Sequence, residues 1–139
     1  MIRLKRVIDT LPKDFEALRK EAELDGHRML DTLASEWADG VTRFDRPGEA
    51  LLAAYADGVL AGMGGLTLEP ALCGALRMRR FYVRIAYRRR GVARVLAEAL
   101  LEKAGRRVIT ANAAAGSEAF WETLDFVADK RDGRTHIRR

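Results

Sequence analysis

Leu76-Arg77-Met78-Arg79-Arg80-Phe81-Tyr82-Val83-Arg84-Ile85-Ala86-Tyr87-Arg88-Arg89-Arg90-Gly91-Val92-Ala93 is the stretch on which the fold turns. Leu76 and Met78 place apolar side chains on one parity, whereas Phe81, Val83 and Ile85 fall on the other. Side chains in a strand alternate with period two, so a phase slip at Arg79-Arg80 is what one inserted residue, a β-bulge, produces. A strand buried on both faces with ragged polarity is the alternative reading of the same pattern. A bulge would bend the strand and open it away from its neighbour. Beyond Gly91 the period changes: Val92, Val95, Leu96, Ala99 and Leu100 recur at i, i+3, i+4, i+7 and i+8, an amphipathic helix with Gly105 past its end.

On the N-terminal side, Val59 to Leu68 and Leu51 to Ala56 flank Asp57-Gly58, a dipeptide suited to a tight hairpin turn. Gly62, Gly64 and Gly65 weaken the second of these strands unless a backbone or a ligand must approach closely. Ile2 to Val7 alternates apolar and basic residues as a half-buried strand does. A helix follows Leu11-Pro12, and a second, carrying Met29, Leu30, Leu33 and Trp37, stops at Asp39-Gly40. Towards the C-terminus, Val108 to Ala111 reads as a strand, Ser117 to Leu124 as a short helix and Phe126 to Ala128 as a strand. Thr135 to Ile137 is a last strand across an Asp132-Gly133 turn. The order predicts an α/β (α+β) fold: a mixed, mostly antiparallel sheet of six to seven strands with about four helices, forming one domain over residues 1–139.

Between strand and helix, Arg88 to Ala93 has the makings of an anion site. The first N–H groups of a helix lack intrahelical partners and the dipole is positive there, so a phosphate fits without any special side chain. Arg88, Arg89 and Arg90 can add charge-assisted bonds to phosphate oxygens. The turn is neither G-x-x-x-x-G-K nor G-x-G-x-x-G.

It does read Arg-x-x-Gly-x-Ala, and here the chain resembles the GNAT acetyltransferases, whose strand-turn-helix carries Gln/Arg-x-x-Gly-x-Gly/Ala. Arg80 to Ala93 is similar to that family's cofactor-binding strand and turn along its length, and Ala119-Phe120-Trp121-Glu122-Thr123-Leu124-Asp125-Phe126 is similar to its Phe-Tyr-x-x-x-Gly-Phe signature. With the order of elements included, the resemblance covers nearly the whole chain. It implies acetyl-CoA as cosubstrate, its pyrophosphate at Arg88, Arg89, Arg90, Gly91, Val92, Ala93 and Arg94, and its pantetheine arm against the backbone of Phe81, Tyr82 and Val83, with Asn112 and Trp121 beside it. The implied reaction is acetyl transfer to a primary amine by direct attack in a ternary complex.

Two positions depart from the family: Trp121 stands where many members place a tyrosine, and Asp125 where they place glycine. Indole N–H donates a hydrogen bond but is no useful acid near neutral pH. As proton-handling groups the sequence offers Glu69, at the end of a strand, and Tyr82; Glu36 and Tyr87 are further candidates, each also readable as a solvated or packing residue. The acceptor is expected over the two N-terminal helices and the loop Trp37 to Asp45, whose Asp39 and Asp45 would suit a cationic amine.

Composition narrows the rest. The chain has 139 residues, 48% of them hydrophobic, enough for one core. Cys73 is the single cysteine, and with only His27 and His136 besides, no metal site is expected, nor a covalent mechanism through Cys73. No long apolar run or secretory signal is seen, so the expectation is a cytoplasmic protein without membrane contact. Residues 9–49 hold eleven acidic against six basic residues and residues 50–139 nine against sixteen, within a net charge of +5. That asymmetry prompts a rival, a basic nucleic-acid-binding module, opposed by the crowding of arginines on one strand-turn-helix with no base-reading helix. A non-catalytic acyl-CoA-binding regulatory protein is the other alternative. A homodimer is the default state for a soluble protein of this kind.

Overall fold

The computed structural model describes all residues, Met1 to Arg139. Strands β1 (Ile2–Arg6), β2 (Ala50–Ala56), β3 (Val59–Leu68), β4 (Leu76–Val83), β5 (Ile109–Ala111), β6 (Val127–Arg131) and β7 (Arg134–Arg138) form one seven-stranded sheet in the order β1-β2-β3-β4-β5-β7-β6. Every pairing is antiparallel except β4 with β5. Helices α1 (Phe15–Leu24) and α2 (Met29–Asp39) cover one face of the sheet. α3 (Val92–Ala104) and the short α4 (Glu118–Glu122) cover the other.

Each helix is held by the apolar stripe that its sequence periodicity presents. Phe15, Leu18 and Ala22 of α1 and Leu30, Leu33 and Trp37 of α2 close on Leu51, Leu60, Met63 and Phe44. Val92, Leu96, Ala97 and Leu100 of α3 close on Ala54, Leu66, Leu76 and Met78. Full burial of one such leucine or phenylalanine stabilises by about 1.5–3 kcal/mol. α2 ends at Gly40, whose φ of 71° supplies the left-handed residue that satisfies the last turn.

The bulge is present. Met63 faces Tyr82 and Gly65 faces Arg79, so two residues of β4, Arg80 and Phe81, oppose the single Gly64 of β3, with Arg80 at φ 61°. Leu76, Met78, Phe81 and Val83 consequently all pack on the α3 side, and Tyr82 packs on the α1–α2 side. Three glycines of β3 make room for this strand and its surroundings. A Cβ at Gly62 would lie 2.7 Å from the Tyr82 carbonyl oxygen, one at Gly64 2.7 Å from the Phe81 ring and one at Gly65 2.5 Å from the Phe44 ring. The sequence reading carried β4 on to Ile85; instead the strand ends at Val83 and Ile85–Tyr87 forms a 3₁₀ turn, with Ile85 56% exposed. The chain leaves the sheet because the Arg84 N–H donates to the Ala61 carbonyl at 2.8 Å, the last bond to β3. The next N–H, of Ile85, donates instead to the Glu21 carboxylate at 3.0 Å.

Candidate functional site

β4 and β5 run side by side only at Leu76–Ile109 and Arg77–Thr110. Past Arg77 they diverge, so the β4 backbone groups on that side face a cleft rather than a strand. The cleft has a volume of about 500 Å³ and is walled by Met78 to Val83 of β4, by Ala111 to Ala114 after β5, and by Phe120 and Trp121 of α4. Asn112 lies on this wall, exposed. Trp121 is 5% exposed and meets Phe81, Phe120 and Phe126 edge to face, with ring centroids 5.0, 5.0 and 5.2 Å apart. It closes the floor of the cleft as an apolar plate.

At one end the cleft runs on into a hollow of about 220 Å³ over the turn Arg88 to Arg94; Val83, Arg88, Ala93 and Phe120 line both. Here the backbone N–H groups from Arg89 to Arg94 donate to no protein acceptor, and the first bond of α3 is that of Val95 to the Gly91 carbonyl at 3.0 Å. Gly91 adopts φ 83°, and a Cβ there would meet nothing within 4 Å. Its absence of a side chain therefore serves the backbone angle and leaves the helix end open on the solvent side. Together with the dipole of the thirteen-residue α3, these N–H groups form an electropositive cradle for a phosphate.

Arg88, Arg89 and Arg94 line this hollow, but most arginines of the run are drawn to partners elsewhere. Arg88 folds back, donating from Nε to the Val83 carbonyl at 2.9 Å and from Nη2 to Asp25 at 2.5 Å, with its guanidinium 5.4 Å from the Tyr82 ring centroid. Arg90 pairs with Asp57 at 3.1 Å and stacks over Tyr87, and Arg94 donates to the Thr123 hydroxyl at 2.6 Å. Arg77 and Arg80 pair with Glu69 and Glu36. The basic run is dispersed among carboxylates on both faces of the sheet, not spread as one patch. At the turn the main-chain N–H groups and the exposed Arg89 side chain are free.

Asp25, unnoticed in the sequence because it closes α1 in a run of ordinary charged residues, anchors the other wall. It accepts from Arg88 and, at 3.2 Å, from the Tyr82 hydroxyl. The Arg88 guanidinium holds its carboxyl below the usual aspartate range. His27 sits beside it, Nε2 3.7 Å from Asp25 and its ring tilted on Tyr82 at 5.8 Å. Burial, joined by the nearby Asp25 and Glu21 charges, pushes the Tyr82 phenol up to about 12. Tyr82 thus keeps its proton through the neutral range and spends it on Asp25.

Glu69 does not reach the cleft. It is buried at the far end of β3, with one oxygen accepting from Thr110 at 2.7 Å and Arg77 at 3.2 Å and the other from the Ala71 N–H at 3.0 Å. Burial by itself would raise its pKa, but those hydrogen bonds and the Arg77 charge outweigh it and leave the pKa lowered. A fully bonded carboxylate held in its ionised form is a structural tie, poorly placed to take a proton from a substrate. Glu36 is tied in turn to Arg80 at 2.8 Å.

The acidic acceptor lining expected from Asp39 and Asp45 is not what forms. A second cavity of about 220 Å³ lies under the loop after α2, bordered by Asp45 but not Asp39; Glu36 and Glu49 and four arginines, Arg43, Arg46, Arg79 and Arg80, make its lining mixed in charge. The loop brings its own arginines, and β4 contributes Arg79 by strand alternation and Arg80 through the bulge.

A strand opened by a bulge, a pocket along its free edge and a bare helix N-terminus together make up the candidate site. The family description "Acetyltransferase (GNAT) domain" matches residues 18–136, and the chain belongs to that family. No curated protein sequence matches it. Among solved structures it is similar to an Exiguobacterium sp. 255-15 protein assigned as an acetyltransferase, with TM-score 0.89, 18% identity, 99% of this chain and 92% of that one covered. It is also similar to the Bacillus subtilis N-acetyltransferase YlbP in complex with coenzyme A, with TM-score 0.66, 19% identity and coverage of 99% and 95%. Glucosamine-6-phosphate N-acetyltransferase from Arabidopsis thaliana shares the fold at TM-score 0.64 and 11% identity, with 95% of each chain covered.

Proposed function

We propose that the protein transfers an acetyl group from acetyl-CoA to a primary amine. The observation that carries this reading is the unbroken path from the unpartnered N–H groups of Arg89 to Arg94 to the free edge of β4 at the bulge. The pyrophosphate of acetyl-CoA suits the first, and the pantetheine amides suit the second, where Phe81, Tyr82 and Val83 present main chain and Asn112 and Trp121 close the other side. The thioester then lies at the bulge, near Arg79 and Arg80.

The amine nitrogen attacks the thioester carbonyl carbon, a C–N bond forms, the C–S bond breaks and CoA leaves as thiolate. The proton lost by the amine passes through water to solvent or to that thiolate. Neither Glu69, tied to Arg77 and Thr110, nor Tyr82, tied to Asp25, is poised to take or give it. Holding the amine against the thioester is the main catalytic contribution, a factor that well-oriented reactants make large. Trp121 in place of an acidic hydroxyl supports a second reading, in which the protein binds acyl-CoA without turning it over.

Thermal stability with acetyl-CoA, CoA and ATP at matched ionic strength tests the ligand. A ligand at one hundred times its dissociation constant stabilises the folded state by about 2.7 kcal/mol. Both CoA species are expected to raise the melting temperature, ATP to leave it in place, and an Arg90→Ala/Gly91→Asp variant to lose the rise. Release of CoA thiol with an amine panel separates catalysis from binding alone.

A further inference from the structure

Deepening the acetyltransferase reading, on which it rests, we propose that the acceptor amine carries its own oxyanion, a carboxylate or a phosphate, and that Arg79 receives it. The second cavity meets the cofactor cleft at the bulge, because Arg79 and Arg80 line both. An acceptor lying in it has its amine directed at the thioester end of the cleft and the rest of its body under the loop after α2.

The charges there are unevenly committed. Glu36 is engaged by Arg80 at 2.8 Å, and both Glu49 oxygens are taken by backbone N–H groups, of Arg46 at 3.3 Å and Leu68 at 2.9 Å. Asp45 is exposed at the rim. Arg79 is half-buried and has no carboxylate partner; only its Nε is used, donating to the Thr67 hydroxyl at 3.0 Å. Its two terminal nitrogens have no acceptor, and the buried Nε of neighbouring Arg80 has none either. Burial and the flanking Arg77 and Arg80 charges lower the Arg79 pKa, outweighing the opposite pull of the more distant Glu69 and Glu36.

A guanidinium held by one edge, with its fork open into a cavity, matches a planar carboxylate or a phosphate face through paired N–H bonds. A polyamine or a lysine side chain would bring a further cation to a wall that already holds uncompensated ones. Strand alternation already sets Arg79 opposite Met78 on the α2 side, and by turning Arg80 there as well the bulge adds a second guanidinium to the acceptor side of the thioester.

The test follows CoA release with matched pairs: α-amino acids against their carboxamides, phosphoethanolamine against ethanolamine, and spermidine as the cationic control. The anionic member of at least one pair is expected to win by tenfold or more in kcat/KM, and the winning pair says whether carboxylate or phosphate is the anion. Arg79→Gln should raise KM for that acceptor at least tenfold with acetyl-CoA KM unchanged, and Arg79→Lys should recover part of the loss. Both variants are checked for an unaltered melting temperature. Where no pair turns over, calorimetry of the same pairs on CoA-saturated protein decides by the same preference. Preference for the neutral or polycationic amine, or an Arg79→Gln variant that keeps the wild-type ratio, overturns the proposal. Absence of any acetyl-CoA binding would instead remove the cosubstrate reading, and this proposal with it.

Discussion

The two halves of β4 receive the same treatment from β3 and opposite treatment from β5. Around Leu76 and Arg77 the strand is paired on both sides, and the Glu69–Arg77–Thr110 cluster leaves its carboxylate fully bonded. From Met78 to Val83 the β5 side is open and a buried Arg80 nitrogen is without a partner. On the proposed reading, one strand serves stability at its start and ligand binding at its end. The bulge between Met63–Tyr82 and Gly65–Arg79 marks the change. Charged groups are no guide to which half is functional: the most completely bonded carboxylate in the region belongs to the closed half.

If that division holds, mutations in the two halves separate cleanly. Glu69→Gln should lower stability by about 3 kcal/mol, because it breaks a buried carboxylate's pairing and strips the half-buried Arg77 of its counter-charge, while CoA affinity of the folded protein stays within twofold. Chemical denaturation and calorimetry measure the two effects. Gly91→Asp should do the reverse, weakening CoA binding about 100-fold, or about 2.7 kcal/mol, by placing a carboxylate and a strained φ at the cradle with a smaller loss of stability. Gly64→Val breaks the division, since its Cβ would strike the Phe81 ring. About 1–3 kcal/mol of overpacking strain is expected, together with a measurable rise in the Kd for CoA.

Smaller effects lie at the margins. The Tyr82–Asp25–Arg88 tether depends on an aspartate whose folded pKa is depressed. Its contribution is complete above the ordinary value of 3.8 and is lost as pH falls through the lowered native value. Asp25→Asn should therefore flatten the acid limb of the melting temperature against pH and leave the neutral region level. Asp125, at φ 70°, adopts the left-handed angle that glycine takes without strain. Asp125→Gly should raise stability by up to about 1 kcal/mol in a thermal melt, with CoA affinity unchanged.

Much of this was legible in the residues. The phase slip between Met78 and Phe81 encodes the bulge, since core-facing side chains cannot otherwise change parity within one strand. The glycines of β3 announce a close approach, and the Arg88 to Ala93 junction a helix N-terminus. Side-chain pairing was not legible, because it depends on what the fold brings across from distant segments. Arg88 meets Asp25 from α1, Arg90 meets Asp57 from the β2–β3 turn, and Glu69 meets Thr110 from β5. The acceptor side misled for the same reason. Counting acidic residues from 9 to 49 misses the two arginines that β4 presents to that face, Arg79 by alternation and Arg80 through the bulge.

The most direct test of the central claim is an amide NMR titration of the protein with CoA. The backbone N–H signals of Arg89 to Arg94 should show the largest shifts, followed by those along Met78 to Val83, with Glu69, Arg77 and Thr110 nearly unmoved. Shifts concentrated at the Glu69 end, with the Arg89 to Arg94 amides silent at saturating CoA, would contradict the account.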